Sequence, residues 1–402
     1  MAPMENMKKS SKKDAASITI PNSCCTASLT FSDSFAKSGI RVVAGEIILS
    51  PTDGVHHCGL WWSRDSTTFF GDFAHQNQGI KNEFPKVEPL PPGIDLTNKT
   101  AIVTGATAGI GLELSRQLLH LNLSTLILAV RNVSKGEEVK KALSAINPKA
   151  VVKVMKLDTA DYTSVKAFAE MFKSKHGKLH LLMLNAGISD INFELAPTGH
   201  EKNFQVNYLS NVLLTLLLLP ILEHTAEIEG APTRITWTGS RMHLQTSLAN
   251  KVPLKKDEGI FEHFDAPGVI PPLTRYGDTK LLVLLFQHEL AFRYPPKKVI
   301  INHFCPGMVD TSLTDILPVY IRLPALMLKA LRARSVDKAG WIGLHAALVV
   351  GDETHGQLLG DKEIADLGDF VPSEEGMRIR KLLWEEAVGE MRGLTQVPSW
   401  ME

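Results

Sequence analysis

Two residues four apart raise the first question of chemistry: Tyr276 and Lys280, in the stretch RYGDTK, Arg275 to Lys280. Residues i and i+4 share one face of a helix. The pair is therefore either an ordinary surface pair or half of a proton-transfer device. A phenol with an ordinary pKa of about 10 works as an acid or base near neutral pH only if its phenolate is stabilised. A cation one turn along the helix would do that. The spacing alone occurs by chance in many helices, so its meaning depends on what else the chain supplies.

A second constellation lies upstream. TGATAGIG, Thr104 to Gly111, follows a short apolar run and opens a helical pattern. Its glycines are Gly105, Gly109 and Gly111, with Ile110 between the last two. Glycine lets a backbone turn sharply and approach a pyrophosphate with no Cβ in the way. The helix start adds unpaired N–H groups and the positive end of a dipole. Strand before, helix after is the context a dinucleotide site requires. The next strand ends in AVRN, placing Arg131 where an acidic residue would otherwise accept bonds from a ribose 2′-OH. An arginine there grips a 2′-phosphate, so NADP(H) is the expected cofactor; the alternative is a solvated arginine at a strand end. Asp158, ending the third strand, is placed to touch the adenine edge. Asn185, Ala186 and Gly187 close the fourth with a small-residue turn that lets the cofactor pass.

The elements that must position these groups alternate. Apolar runs predict strands at TAIVTGA from Thr100, Thr125 to Val130, VVKVMKL from Val151, Leu179 to Leu184, Arg234 to Thr238, Val299 to Cys305 and Gly356 to Leu359. Helical spacing falls at Ile110 to Leu121, Ser134 to Ile146 and Asp161 to His176, the second with Ser134 and Glu137 as a capping box. The run VLLTLLLLPIL, Val212 to Leu222, is too short to span a bilayer and reads as a buried core helix. Strands alternating with helices imply an α/β fold with a parallel sheet covered on both faces. Residues 1–90 form an N-terminal extension that is expected to be poorly structured and partly disordered. It ends in a Pro-rich linker, FPKVEPLPPG from Phe84 to Gly93. Residues 91–402 form a single catalytic domain with a lid at about 306–334.

Bulk properties exclude several classes. Lys+Arg and Asp+Glu both count 43, so no global basic field exists to hold nucleic acid. The four cysteines, Cys24, Cys25, Cys58 and Cys305, form no metal-ligand pattern and fit a reducing compartment. No metal is expected. Lys8, Lys9, Lys12 and Lys13 precede no apolar region, so the start does not read as a signal peptide. The expected location is cytoplasmic, without membrane association.

Six elements in order resemble the short-chain dehydrogenase/reductase family: TGATAGIG, NAG at Asn185, FQVN ending at Asn207, TGS ending at Ser240, YGDTK, and PGMVDT from Pro306. The resemblance covers roughly Asp95 to Asp361. It is nearest to the retinol-dehydrogenase-like branch and its fungal relatives, a secondary-metabolism type. It implies a Rossmann-like doubly wound sheet. It also gives roles: Tyr276 as general acid/base, Lys280 lowering the phenol pKa and holding the nicotinamide ribose, Ser240 fixing the substrate oxygen, and Asn207 anchoring a relay water. Pro306 and Gly307 turn the chain, and Val309 and Thr311 face the carboxamide. The chain departs from the pattern at Gly239, where the family usually has a serine, and in the long segment between Ser240 and Tyr276, expected to shape the substrate entrance. The implied reaction is carbonyl–alcohol interconversion on a small apolar molecule. Family members often form dimers through helices that include the Tyr276 helix, though the N-terminal extension is placed to block this. Two rival readings remain open: a non-catalytic NADP sensor, and a membrane-surface reductase of retinoids or lipid aldehydes.

Overall fold

The computed structural model describes residues 86–310 and 332–401, together with 46–48, 59–61, 322, 326 and 329. Most of the N-terminal extension and most of the lid lie outside the described residues, and so does the expectation of partial disorder for the extension. Within the first unit, Met1–Lys81, strands β1 (Glu46–Ile48) and β2 (Gly59–Trp61) pair antiparallel.

The second unit, Asn82–Glu402, carries the alternating pattern. In chain order it contains β3 (Thr100–Thr104), α1 (Gly109–His120), β4 (Thr125–Val130), α2 (Val133–Ser144), β5 (Val151–Lys156), α3 (Tyr162–Lys175) and β6 (Leu181–Leu184). Next come α4 (Lys202–Glu229), β7 (Thr233–Thr238), α5 (Ile260–Asp265), α6 (Arg275–Arg293) and β8 (Val299–Cys305). The last elements are α7 (Val336–Leu348), β9 (Leu358–Gly360), β10 (Glu363–Ile364) and α8 (Glu374–Arg392). The sheet order is β10-β9-β8-β7-β6-β3-β4-β5, parallel throughout except the β10 edge. This is a Rossmann-like doubly wound sheet. The order in which strands are added reverses between β3 and β6, and a ligand crevice opens at the strand ends at such a point.

Every residue of β6 and β8 is buried, as expected for strands covered on both faces. One core lies under α3, α4, α6 and α8, with Phe168, Tyr208, Trp237 and Phe286 as large members. The other lies under α1, α2 and α7 and includes Leu114, Leu118, Ile342 and Phe304. Helix α4 is long and apolar enough to cross a membrane, but its most apolar window is 94% buried inside the protein, as a core helix is.

Two readings need correction. Helix α2 starts at Val133, so Asn132 is its cap, accepting from Lys135 N; Ser134 lies inside the helix, and Glu137 pairs with Lys140 instead. The Pro-rich segment is not a free linker where it is described. Val87 is buried in the second core with Leu96, and the Lys362 ammonium donates to the carbonyls of Glu88 and Pro89. The long segment between Ser240 and Tyr276 is anchored on the body of the domain. Its Leu248, Leu254, Ile260, Phe264 and Ile270 are buried in the first core.

Candidate active site

The glycine turn sits where β3 meets α1. Gly105 and Gly109 have φ of +66° and +53°, the left-handed region that favours glycine. A Cβ on Gly111 would lie 2.5 Å from both Gly105 O and Asn185 Nδ2, so this position has no room for a side chain. Ala108 precedes α1 with no side-chain cap, and the first turn holds no acidic residue. The helix start therefore keeps its N–H groups for an anion. Ile110 is half-buried beside this turn.

Thr104, which the motif reading passed over, ties the turn to β6. Its buried hydroxyl accepts from Asn185 N and Ala186 N, both at 2.9 Å. Asn185 Nδ2 donates to Thr104 O at 3.1 Å, and its Oδ1 accepts from Thr238 at 3.3 Å. Arg131 is exposed at the end of β4. Asp158 is half-buried after β5, and its carboxylate accepts from Ala160 N at 3.0 Å.

Asn207 lies in a π-turn, Gln205–Leu209, inside α4. Such bulges concentrate at functional sites. Its Oδ1 accepts from Ile188 N at 2.8 Å, and its Nδ2 donates to Ile188 O at 2.9 Å and to the Thr279 hydroxyl at 3.0 Å. The amide is thus committed to holding the turn after β6 against α6. It meets Gly187, whose Cβ would lie 3.1 Å from Asn207 Oδ1 and 3.7 Å from Lys280 Nζ.

Ser240 follows β7; its hydroxyl accepts from Met242 N at 3.2 Å and lies near enough to the Tyr276 phenol to favour the ionised form. Lys280 Nζ donates to Thr238 O at 2.7 Å and lies 5.6 Å from the centre of the Tyr276 ring. Burial pushes the Tyr276 phenol well above its ordinary value, with Ser240 pulling the other way. Burial also pulls the Lys280 ammonium down to about 8. In the chain alone the net shift of the phenol is upward, with desolvation as its largest cause. The ammonium sits at the ring face and bonds Thr238 rather than the phenolic oxygen, so desolvation decides.

The far wall follows β8. Pro306 is buried and Gly307 has φ +74°, with a hypothetical Cβ 3.1 Å from the Arg334 guanidinium. Val309 pairs with Arg334 in a parallel bridge, and Arg334 bonds Asp361. Thr311 lies outside the described residues. Arg275, just before Tyr276, donates to Ile191 O at 3.0 Å and lies over the Phe193 ring, fixing the loop beside the site.

The sheet order, the glycine turn at an uncapped helix start and the Ser240–Tyr276–Lys280 cluster together define a dinucleotide-dependent α/β oxidoreductase. Comparisons with known proteins agree. The short chain dehydrogenase family profile matches residues 99–247. Short chain dehydrogenase yanD of Aspergillus niger is 52% identical over 320 residues, 78% of this chain and 97% of that protein. Short chain dehydrogenase macD of Penicillium terrestre is 50% identical over 321 residues, 78% of this chain and 97% of that protein. The RhlG/NADP active-site complex of Pseudomonas aeruginosa shares the fold, with a TM-score of 0.51 at 20% identity over 67% of this chain and 97% of that one. The chain belongs to the short-chain dehydrogenase/reductase family, whose members use NAD(P) on small carbonyl or alcohol substrates.

Proposed function

We propose that the protein is an NADP-dependent reductase that interconverts a ketone and a secondary alcohol on an apolar small molecule, with Tyr276 as the general acid/base. The observation that carries this reading is the cluster of Ser240, Tyr276 and Lys280 at the end of β7, with Lys280 Nζ 5.6 Å from the centre of the Tyr276 ring. When bound, the nicotinamide supplies the hydride. Gly105, Gly109, Gly111 and the start of α1 would hold its pyrophosphate, and exposed Arg131 is free to meet a 2′-phosphate. Ser240 orients the substrate oxygen. The raised pKa keeps the proton on Tyr276 until that oxygen gains negative charge, and the hydroxyl then donates it. Lys280 balances the phenolate left behind.

The similarity to the fungal yanD and macD supports a role on a secondary metabolite; a cytoplasmic location is part of the same proposal. A dimer through the Tyr276 helix would need a face of α6 that α8 leaves open, because Trp384 stacks on Phe286 at 5.3 Å. The test is a screen of the purified chain for NADPH consumption across ketones and aldehydes. Tight NADPH binding with no carbonyl reduced would favour the sensor reading instead.

A further inference from the structure

YGDTK contains an acid that the proposed mechanism leaves idle. Asp278 lies on α6 between Tyr276 and Lys280, and it is fully buried. Carboxylates are almost never fully buried unless their oxygens are paired. Its Oδ1 accepts from the Thr246 hydroxyl at 2.8 Å and from Ser247 N at 2.6 Å, and its Oδ2 accepts from the Ser247 hydroxyl at 2.8 Å. The three donors belong to Thr246 and Ser247, at the junction of the two turns that follow Ser240, Arg241–Gln245 and Ser247–Ala249.

A second contact lies one residue earlier. A Cβ on Gly277 would stand 2.6 Å from Met242 O, so α6 touches this turn backbone to backbone. Met242 is the residue whose N–H donates to the Ser240 hydroxyl, at 3.2 Å. The helix that carries Tyr276 is therefore docked on the turn that carries Ser240 at two successive positions. Burial raises the Asp278 pKa, and the bonds from Ser247 and Thr246 oppose it.

We propose that Asp278 is a positioning residue that clamps the Ser240 turn to the Tyr276 helix, so that the two hydroxyls meet. It acts through Ser240 and touches no substrate. The proposal rests on the reading of Ser240 and Tyr276 as the reacting pair, and the two fail in different ways. Hydrogen exchange on the full chain needs no substrate. In Asp278→Asn and in Ser247→Ala, amides of 241–249 should exchange about tenfold faster or more, the scale expected for losing a charged hydrogen bond. Amides of 281–291 should keep their unmodified rates. No change, or the same acceleration in both segments, overturns the clamp.

Kinetics with NADPH and 1-phenyl-1,2-propanedione, an apolar diketone probe, then test the route through Ser240. Asp278→Asn should lower kcat about tenfold with the KM for NADPH within about twofold, a misplacement effect. In a Ser240→Ala background, Asp278→Asn should cost nothing more, because residues acting as a unit are not additive. Losses that multiply would overturn the proposal and leave Asp278 a general stabiliser. If Ser240→Ala itself keeps full turnover, or the unmodified chain does not reduce the probe, the functional reading fails. The exchange result still decides whether the clamp exists.

Discussion

Raising the pH from 7 to 10 should loosen the protein at one identifiable place. His200, just before α4, bonds Asp265 of α5 at 2.7 Å and Glu390 of α8 at 3.3 Å. Burial pulls the imidazole down, but the bonds and charges of Asp265 and Glu390 outweigh it and lift His200 to about 9 from 6.5. A folded pKa above the unfolded one gives stability that is full below pH 6.5 and is lost as pH rises through about 9. The difference, 9 minus 6.5, corresponds to about 3 kcal/mol at most, and less after local relaxation. At about 2–4 °C per kcal/mol, the melting temperature should fall by several degrees between pH 7 and pH 10. His200→Gln removes the titration, so its melting temperature should start lower and show a smaller fall over the same range. Paired thermal unfolding curves at four or five pH values check this. A variant that falls as steeply as the unmodified chain would refute the reasoning, since the lost stability would then belong to other groups.

Three further outcomes follow from the site. The unmodified chain should bind NADPH more tightly than NADH, and Arg131→Asp should erase or reverse that difference, because the 2′-phosphate would meet a carboxylate; titration with both cofactors checks it, and equal affinities in the unmodified chain would refute it. Gly111→Ala should weaken cofactor binding by more than about tenfold, since its Cβ would stand 2.5 Å from Gly105 O and force the turn open. Lys280→Met should lower turnover and also weaken NADPH binding, and its loss should not multiply with that of Tyr276→Phe; multiplied losses would mean that the two act separately.

Parts of this architecture were legible because local signals agreed. The strands Thr125–Val130 and Val299–Cys305 are unbroken apolar-rich runs, and they occur with the expected bounds. The capping-box pattern starts α2 at Ser134, whereas Asn132, two residues earlier and also a good acceptor, holds the cap. Helix α7 went unread. It contains Gly340 and Gly343, which look like breakers locally; in the fold, a Cβ on Gly343 would lie 2.8 Å from Phe304, so the glycine is set by packing. The glycine turn and the Tyr276–Lys280 pair were visible as motifs, since their spacing is itself the signal. Asp278 was not, because its partners Thr246 and Ser247 lie 32 and 31 residues away. The raised phenol pKa was also hidden, because desolvation is a property of the assembled site and not of the i,i+4 spacing.

The central claim is that Tyr276 supplies the proton in a carbonyl reduction. Its most direct test is the rate of NADPH absorbance loss with a ketone found by the screen, for the unmodified chain and for Tyr276→Phe, alongside NADPH titration of both. The variant keeps the ring and loses only the hydroxyl. Turnover should fall by about 100- to 10,000-fold while NADPH affinity stays within about twofold, because the nucleotide is held by the glycine turn and Lys280. Full turnover in Tyr276→Phe would contradict the account.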